Sequence, residues 1–370
     1  MKELKDIISA YDKAVSQNKQ TVLATVVQVE GSSYRRPGAR MLITADGEIT
    51  GAISGGCLEG DALRKAQRAM HLKQNKLLVY DTIHEEDQSF GIQLGCNGIV
   101  YILLEPILDA DENNPIQLLK KVAQDRKEAV LVTIFNPDKN ATQTGTCLVV
   151  QDGESPILQD ERIEKALALV LTQKESMVRP YPHQTILYQF VPPSIHLVIV
   201  GAGNDAQPLM EMAFLLGWNI TVVDGRPAYA TLQRFPKANQ ICLAKSDNVL
   251  SSITIDEQTA VVLMTHNYNY DRIALEQLTH SACKYIGVLG PKQKLEKMLD
   301  ELNSSGVEMD QDMGNKLHGP VGLDIGAETS EEIALAIVAE IKAVFSNRRG
   351  TPLKNRPIEI HERSFLAQHA

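Results

Sequence analysis

Apolar residues recur along the first half of the chain in two rhythms. At Leu4, Ile7, Ile8, Tyr11 and Val15 they fall three or four apart, with Glu3, Asp6 and Asp12 between them. That spacing predicts an amphipathic helix rather than a signal peptide. TVLATVVQVE (21–30) is β-branched and reads as a strand. ARMLITADGEITGAIS reads as two short strands joined at Asp46-Gly47, a hairpin dipeptide. Residues 58–72 return to helical spacing, with Leu58, Ala62, Ala66, Ala69 and Met70 on one face. LLVYDT and GIVYILLEP read as strands; a helix (116–127), the strands AVLVTIF and TCLVVQ, a helix (160–173) and the strand QTILYQF follow. Together they predict an N-terminal α+β domain over residues 1–190.

The pattern changes at VPPSIH (191–196), where two prolines interrupt any regular element. HLVIVGAGNDAQPLMEMAFLLGWNITVVDGRP then reads as strand, glycine turn, helix and strand. Gly201, Gly203 and Ala206 fit G-x-G-x-x-G/A, and Asp224 ends the second strand near the spacing of a ribose-binding acid. TAVVLMTH and YIGVLG supply more strands, and Thr329-Ser330-Glu331-Glu332 is a capping box before IALAIVAEIKAVF. The fold class expected is therefore α/β, with a Rossmann-like doubly wound parallel-sheet domain at 195–345. A polar, basic tail (346–370) follows.

Charge and cysteine content narrow the function classes. The 370 residues hold 37 Lys and Arg against 46 Asp and Glu, a net charge of −9, which speaks against a general nucleic-acid or anionic-membrane surface. No apolar run reaches the roughly 20 residues of a membrane helix. The five cysteines are odd in number, widely spaced and without C-x-x-C. That pattern points to a reducing, cytoplasmic setting rather than a disulfide framework. No zinc spacing occurs among the nine His, so no metal site is expected.

Two constellations could carry chemistry. Ligands of open α/β sheets sit beyond the carboxyl ends of the strands, which selects Gly201, Gly203, Asp224, Arg226, His266 and Asp271. The glycine turn would admit a pyrophosphate and Asp224 a ribose hydroxyl, while Arg226 leaves NAD and NADP both open. A histidine ending a strand can also simply bond a neighbouring loop. In the first domain, GSSYRRPGAR (31–40) gathers three arginines among glycines and serines, an arrangement suited to anions. Cys57, behind Gly55 and Gly56, would stand at a helix start where the macrodipole favours a thiolate. Cys96 lies in a second glycine loop. Cys147, Cys242 and Cys283 read as small core residues.

GSSYRRPGARMLITADGEITGAISGGCLEG, LGCNG, HLVIVGAG, VVLMTHNYNYD, YIGVLG and GPVGLDIGAETSEEIALAIVAEI together resemble the XdhC/CoxI family, in register from about residue 5 to 345. The resemblance implies an accessory factor for xanthine dehydrogenase and related molybdenum hydroxylases. Such a protein binds the molybdenum cofactor (molybdopterin), supports its sulfuration with a cysteine desulfurase, and inserts it into the apo-enzyme. Carried over by position, the pattern marks Arg35, Gly38, Ser54, Gly55, Gly56, Cys57, Cys96, Gly201, Gly203, Asp224, His266, Asp271 and Asp324. Cys57, Cys96, His266 and Asp271 are the candidates for chemistry; the others, with Arg226, are candidates for binding the cofactor. The chain departs from the family at Tyr34 (often Pro), Asn97 (often Gly) and Asn204 (often His). We expect a homo-oligomer. The competing reading is an NAD(P)-dependent oxidoreductase with its own substrate, for which only His266 offers an acid or base.

Overall fold

The β-branched runs read from the sequence form strands in the computed structural model, which describes residues 1–81, 98–151, 160–307 and 311–356. They divide into two compact units, Met1–Pro193 and the part from Ser194 onward.

The first unit runs α1 (Lys2–Ser16), β1 (Thr21–Gly31), β2 (Arg40–Thr44), β3 (Ile49–Gly51), α2 (Glu59–Leu72), β4 (Lys76–Asp81) and β5 (Gly98–Pro106). It continues with α3 (Pro115–Gln124), β6 (Ala129–Phe135), β7 (Gly145–Gln151), α4 (Glu161–Gln173), β8 (Met177–Tyr181) and β9 (Gln184–Val191). Two sheets result, ordered β3-β2-β1-β5-β4 and β7-β6-β9-β8, with antiparallel neighbours throughout. The small residues of α2 (Ala62, Ala66, Ala69) let it lie against Val22, Ala24, Val26 and Ile102 of the first sheet. On that sheet's other side, Ile7 and Tyr11 of α1 and Leu119 and Val122 of α3 share a core with Leu23, Leu42 and Leu131. α4 covers Val130, Val132 and Tyr188 of the second sheet. Asn114 and Asp160 cap α3 and α4 by accepting backbone N–H bonds.

The second unit comprises β10 (His196–Val200), α5 (Ala206–Leu215), β11 (Asn219–Asp224), β12 (Gln240–Leu243), β13 (Thr259–Leu263), α6 (Tyr268–Leu278) and β14 (Tyr285–Val288). α7 (Lys292–Ser304), α8 (Gln311–Lys316), β15 (Leu317–His318) and α9 (Ser330–Phe345) follow. All six strands are parallel, in the order β12-β11-β10-β13-β14-β15. β10 and β13 are buried at every residue, which explains the apolar runs that follow His196 and Thr259. α5 and α9 share one core with this sheet, and α6 and α7 share another with it. α9 begins with the expected capping box, Thr329 and Glu332 each bonding the other's backbone. Strand order reverses between β10 and β13, the switch point where ligands of such sheets bind.

Candidate functional site

In the first unit the chemistry-bearing residues come from two adjacent loops. β1 ends at Gly31, paired with Gly98, the first residue of β5. A Cβ at Gly98 would collide with the carbonyls of Glu30 and Ser32, so glycine is required there. From this crossing, residues 32–39 return to β2. Tyr34 lays its ring over Gly55, leaving ordinary van der Waals room, 3.6 Å, for a Cβ. Gly38 (φ +95°) donates its N–H to Val26 at 2.8 Å, and a side chain there would strike Gln189.

The three arginines separate by partner. Arg40 is fully buried; its Nη1 donates to Gln189 Oε1 (2.6 Å) and to the Gly38 carbonyl (2.9 Å). Burial pushes its guanidinium down to about 10, against the opposing charges of Glu105 and Glu3. Burial likewise raises the Glu105 carboxyl, opposed by its bonds from Thr146 and by Arg40. Arg35 is turned toward Glu3 and ion-paired with it. Arg36, which the family pattern does not mark although it marks Arg35, is exposed and has no side-chain partner among the described residues.

The second loop carries Cys57. Ser54 is buried, donates its hydroxyl to Glu59, and accepts from the N–H groups of Gly56 (3.2 Å) and Leu58 (3.1 Å). Glu59 also accepts from the Ser54 N–H at 2.8 Å. Burial raises the Glu59 carboxyl, but these bonds outweigh it and hold it below the usual range. The clasp closes Gly55, Gly56 (φ +107°) and Cys57 into a small ring at the start of α2. Cys57 is half-buried, and its sulfur has no hydrogen-bond partner among the described residues. Ser54 and Glu59 thus take the N–H groups of Gly56 and Leu58, on either side of Cys57, and Glu59 places a carboxylate in the same loop. Cys96 lies outside the described residues. Cys242 and Cys283 are buried as expected, whereas Cys147 is exposed, because β7 is the outer strand of its sheet.

In the second unit the glycine turn follows β10. Gly201 (φ +120°) packs so closely that a Cβ would lie 2.5 Å from the Met264 carbonyl oxygen. Asp224 is buried and accepts four bonds: Ala202 N–H at 2.7 Å, and from Arg226 the backbone N–H (2.8 Å), Nε (2.9 Å) and Nη2 (2.7 Å). Arg226 also stacks on Tyr229, 4.0 Å from the ring centre. His266 stands in the left-handed region (φ +57°), its side chain largely exposed, with Nε2 2.7 Å from Asp205 Oδ2. Asp271 is fully buried, bonded by Thr265 Oγ1 (2.6 Å) and by Lys294 Nζ (2.7 Å), which also donates to the Leu289 carbonyl. It thus ties the loop after β13 to the loop after β14. Asp324 is exposed on the loop after β15, which is pinned by Gly322 N–H to Glu340 and by Leu323 N–H to the Ala336 carbonyl. Among the described residues, no group of three or more His, Cys, Asp or Glu is placed to hold a metal ion. No helix there is long and apolar enough to cross a membrane.

Asp224 carries a pH dependence. Burial pushes its carboxyl up, but the Arg226 side chain and the N–H groups of Ala202 and Arg226 outweigh it and hold it below the ordinary range. Its contribution to stability is complete above the unfolded carboxylate pKa, about 4, and is lost as pH falls through the lower folded value. Asp224→Asn should therefore be less stable than wild type in urea at pH 7, and the gap should narrow below about pH 4. A gap unchanged by acid would contradict this.

The sequence profile of the "XdhC and CoxI family" matches residues 14–81, and that of the "XdhC Rossmann domain" matches 197–341. A Bacillus subtilis protein described as a probable xanthine dehydrogenase subunit is 31% identical over 332 residues, covering 89% of this chain and 94% of that protein. PaoD of Escherichia coli, a molybdenum cofactor insertion chaperone, is 24% identical over 90% of this chain and 86% of its own length. A crystal structure from Bacillus halodurans, described as a xanthine dehydrogenase, superposes with a TM-score of 0.73 at 29% identity, covering 95% of this chain and 98% of that one. By sequence and by fold alike, the chain belongs to the XdhC and CoxI family.

Proposed function

We propose that this chain is an accessory protein that binds the molybdenum cofactor, supports its sulfuration with a cysteine desulfurase, and inserts it into a xanthine dehydrogenase-type apo-enzyme in the cytoplasm. Family membership and likeness to a cofactor insertion chaperone support the accessory role. The observation that carries the finer reading is the loop at Cys57: a half-buried thiol without a hydrogen-bond partner among the described residues, held by the Ser54–Glu59 clasp beside two glycines. Small residues let a bulky cargo approach the sulfur. Exposed Arg36, on the loop whose Tyr34 covers Gly55, supplies a guanidinium for the cargo's phosphate. The alternative, an NAD(P)-dependent oxidoreductase, has less support. His266 with Asp205 is the acid–base pair it would have to use at the carboxyl ends of the central strands, and Asp224 is already bonded fully within the chain.

The test is to purify the full chain from cells that make the cofactor and measure bound molybdenum and oxidised pterin fluorescence. The loaded protein is then mixed with apo-hydroxylase and cysteine desulfurase. Near-stoichiometric pterin and restored hydroxylase activity are expected. A chain that carries no pterin and activates nothing would overturn the reading.

A further inference from the structure

In a dinucleotide-binding turn the two leading glycines have separate tasks. The first permits the tight turn; the second leaves the backbone bare so that pyrophosphate can approach it. The free N–H groups and dipole of the following helix then meet the negative charge. In this chain Gly201 performs the first task, passing against the Met264 carbonyl. The space beside Gly203 is already filled: a Cβ there would collide with Asp205 Oδ1. Asp205 immediately precedes α5, yet its side chain does not cap that helix. Its other oxygen is held by His266 Nε2 at 2.7 Å. That hold is firm because Thr265 is fastened to buried Asp271, and the turn between residues 265 and 267 is closed by its own bonds.

The rest of the turn is closed as well. Arg234 Nη2 donates to the Ala202 carbonyl (3.1 Å) and to Asn204 Oδ1 (3.0 Å), so its charge is directed at the chain. At the ribose end, Arg226 occupies both oxygens of Asp224. Two like unit charges about 4 Å apart repel strongly at a partly buried site, enough to weaken phosphate binding on the order of a hundredfold or more.

We propose that Asp205, held by His266, closes the glycine turn, so that this Rossmann unit does not take NAD or NADP through its phosphates. The proposal goes beyond the accessory role and does not depend on it: cargo loading and nucleotide binding are measured separately, and either can fail alone.

Calorimetric titration of the full chain with ADP, NAD and NADP tests it, using wild type, Asp205→Asn and Asp205→Gly. Far-UV circular dichroism and melting curves confirm that each variant is folded. Asn keeps the shape and removes the charge; Gly removes both. Wild type should show no binding at millimolar ligand, and both variants should bind ADP at least tenfold more tightly than that limit. Micromolar binding of NAD or NADP by wild type would overturn the proposal. Folded variants that remain as inert as wild type would overturn it too, because the closure would then not lie in Asp205.

Discussion

Removing the Asp271 carboxylate is expected to lower the unfolding temperature of the second unit by about 10 °C. Asp271 is fully buried and Lys294 partly so, their charges meeting at 2.7 Å. Taking away one partner leaves a partly buried ammonium bonded to the Leu289 carbonyl alone, and strips Thr265 of the shorter-bonded of its two acceptors. Breaking such a pair costs about 3–5 kcal/mol. In a unit of this size each kcal/mol lowers the melting temperature by roughly 2–4 °C. The effect extends to His266, whose left-handed backbone costs about 1 kcal/mol or more and persists because the Thr265 clamp holds it. Asp271→Ala combined with Lys294→Met should recover much of the loss, since no charge is then left unpaired. Calorimetric melting of the two single variants and the double variant measures the coupling. If Asp271→Ala melts like wild type yet loses cofactor delivery, Asp271 acts on the cargo directly rather than as a positioning residue.

The second large effect is expected at Cys57. Cys57→Ser changes one atom, preserves the Ser54–Glu59 clasp, and should leave the melting temperature within about 1 °C of wild type. Delivery of sulfurated cofactor to an apo-hydroxylase should nevertheless fall at least tenfold, because a hydroxyl neither holds sulfur nor ligates soft metals as a thiolate does. Cys147→Ser is the control: that residue is more exposed than half-buried Cys57, and it lies on β7, away from the glycine loop in sequence and in sheet order. Equal delivery by Cys57→Ser and wild type would reduce the cysteine to a small residue in a tight turn. Arg36 and the glycine backbone would then carry the binding.

The sequence announced elements whose own residues decide their structure. The parallel strands β10, β11 and β13 are buried along almost their whole length and read as β-branched, mostly apolar runs. α9 declares its start with its own capping box. β8 (MVRPY), β12 (QICL) and β15 (LH) carry no such signal, since they are short, mixed in polarity and fixed by the strand beside them. The same division runs through the candidate sites. Glycine spacing pointed to both loops, but the contrast between Arg35 and Arg36 depends on Glu3, contributed by α1. Asp205 gave no local sign, because its partner His266 lies 61 residues further along the chain. Cys147 is exposed despite its apolar run, because such a run does not reveal which strand will be outermost.

The sheet of the second unit ends in β12 at one side and β15 at the other, four and two residues long. An open strand edge templates aggregation only when it offers a long row of unpaired backbone groups. Here a second copy adding its own strand would gain a handful of hydrogen bonds at most, too few to offset the entropy of docking. Growth of this sheet from copy to copy, the route to fibrils and to domain-swapped chains, is blunted at both ends. Association of this unit must then use helix faces and loops, where side-chain identity selects the partner.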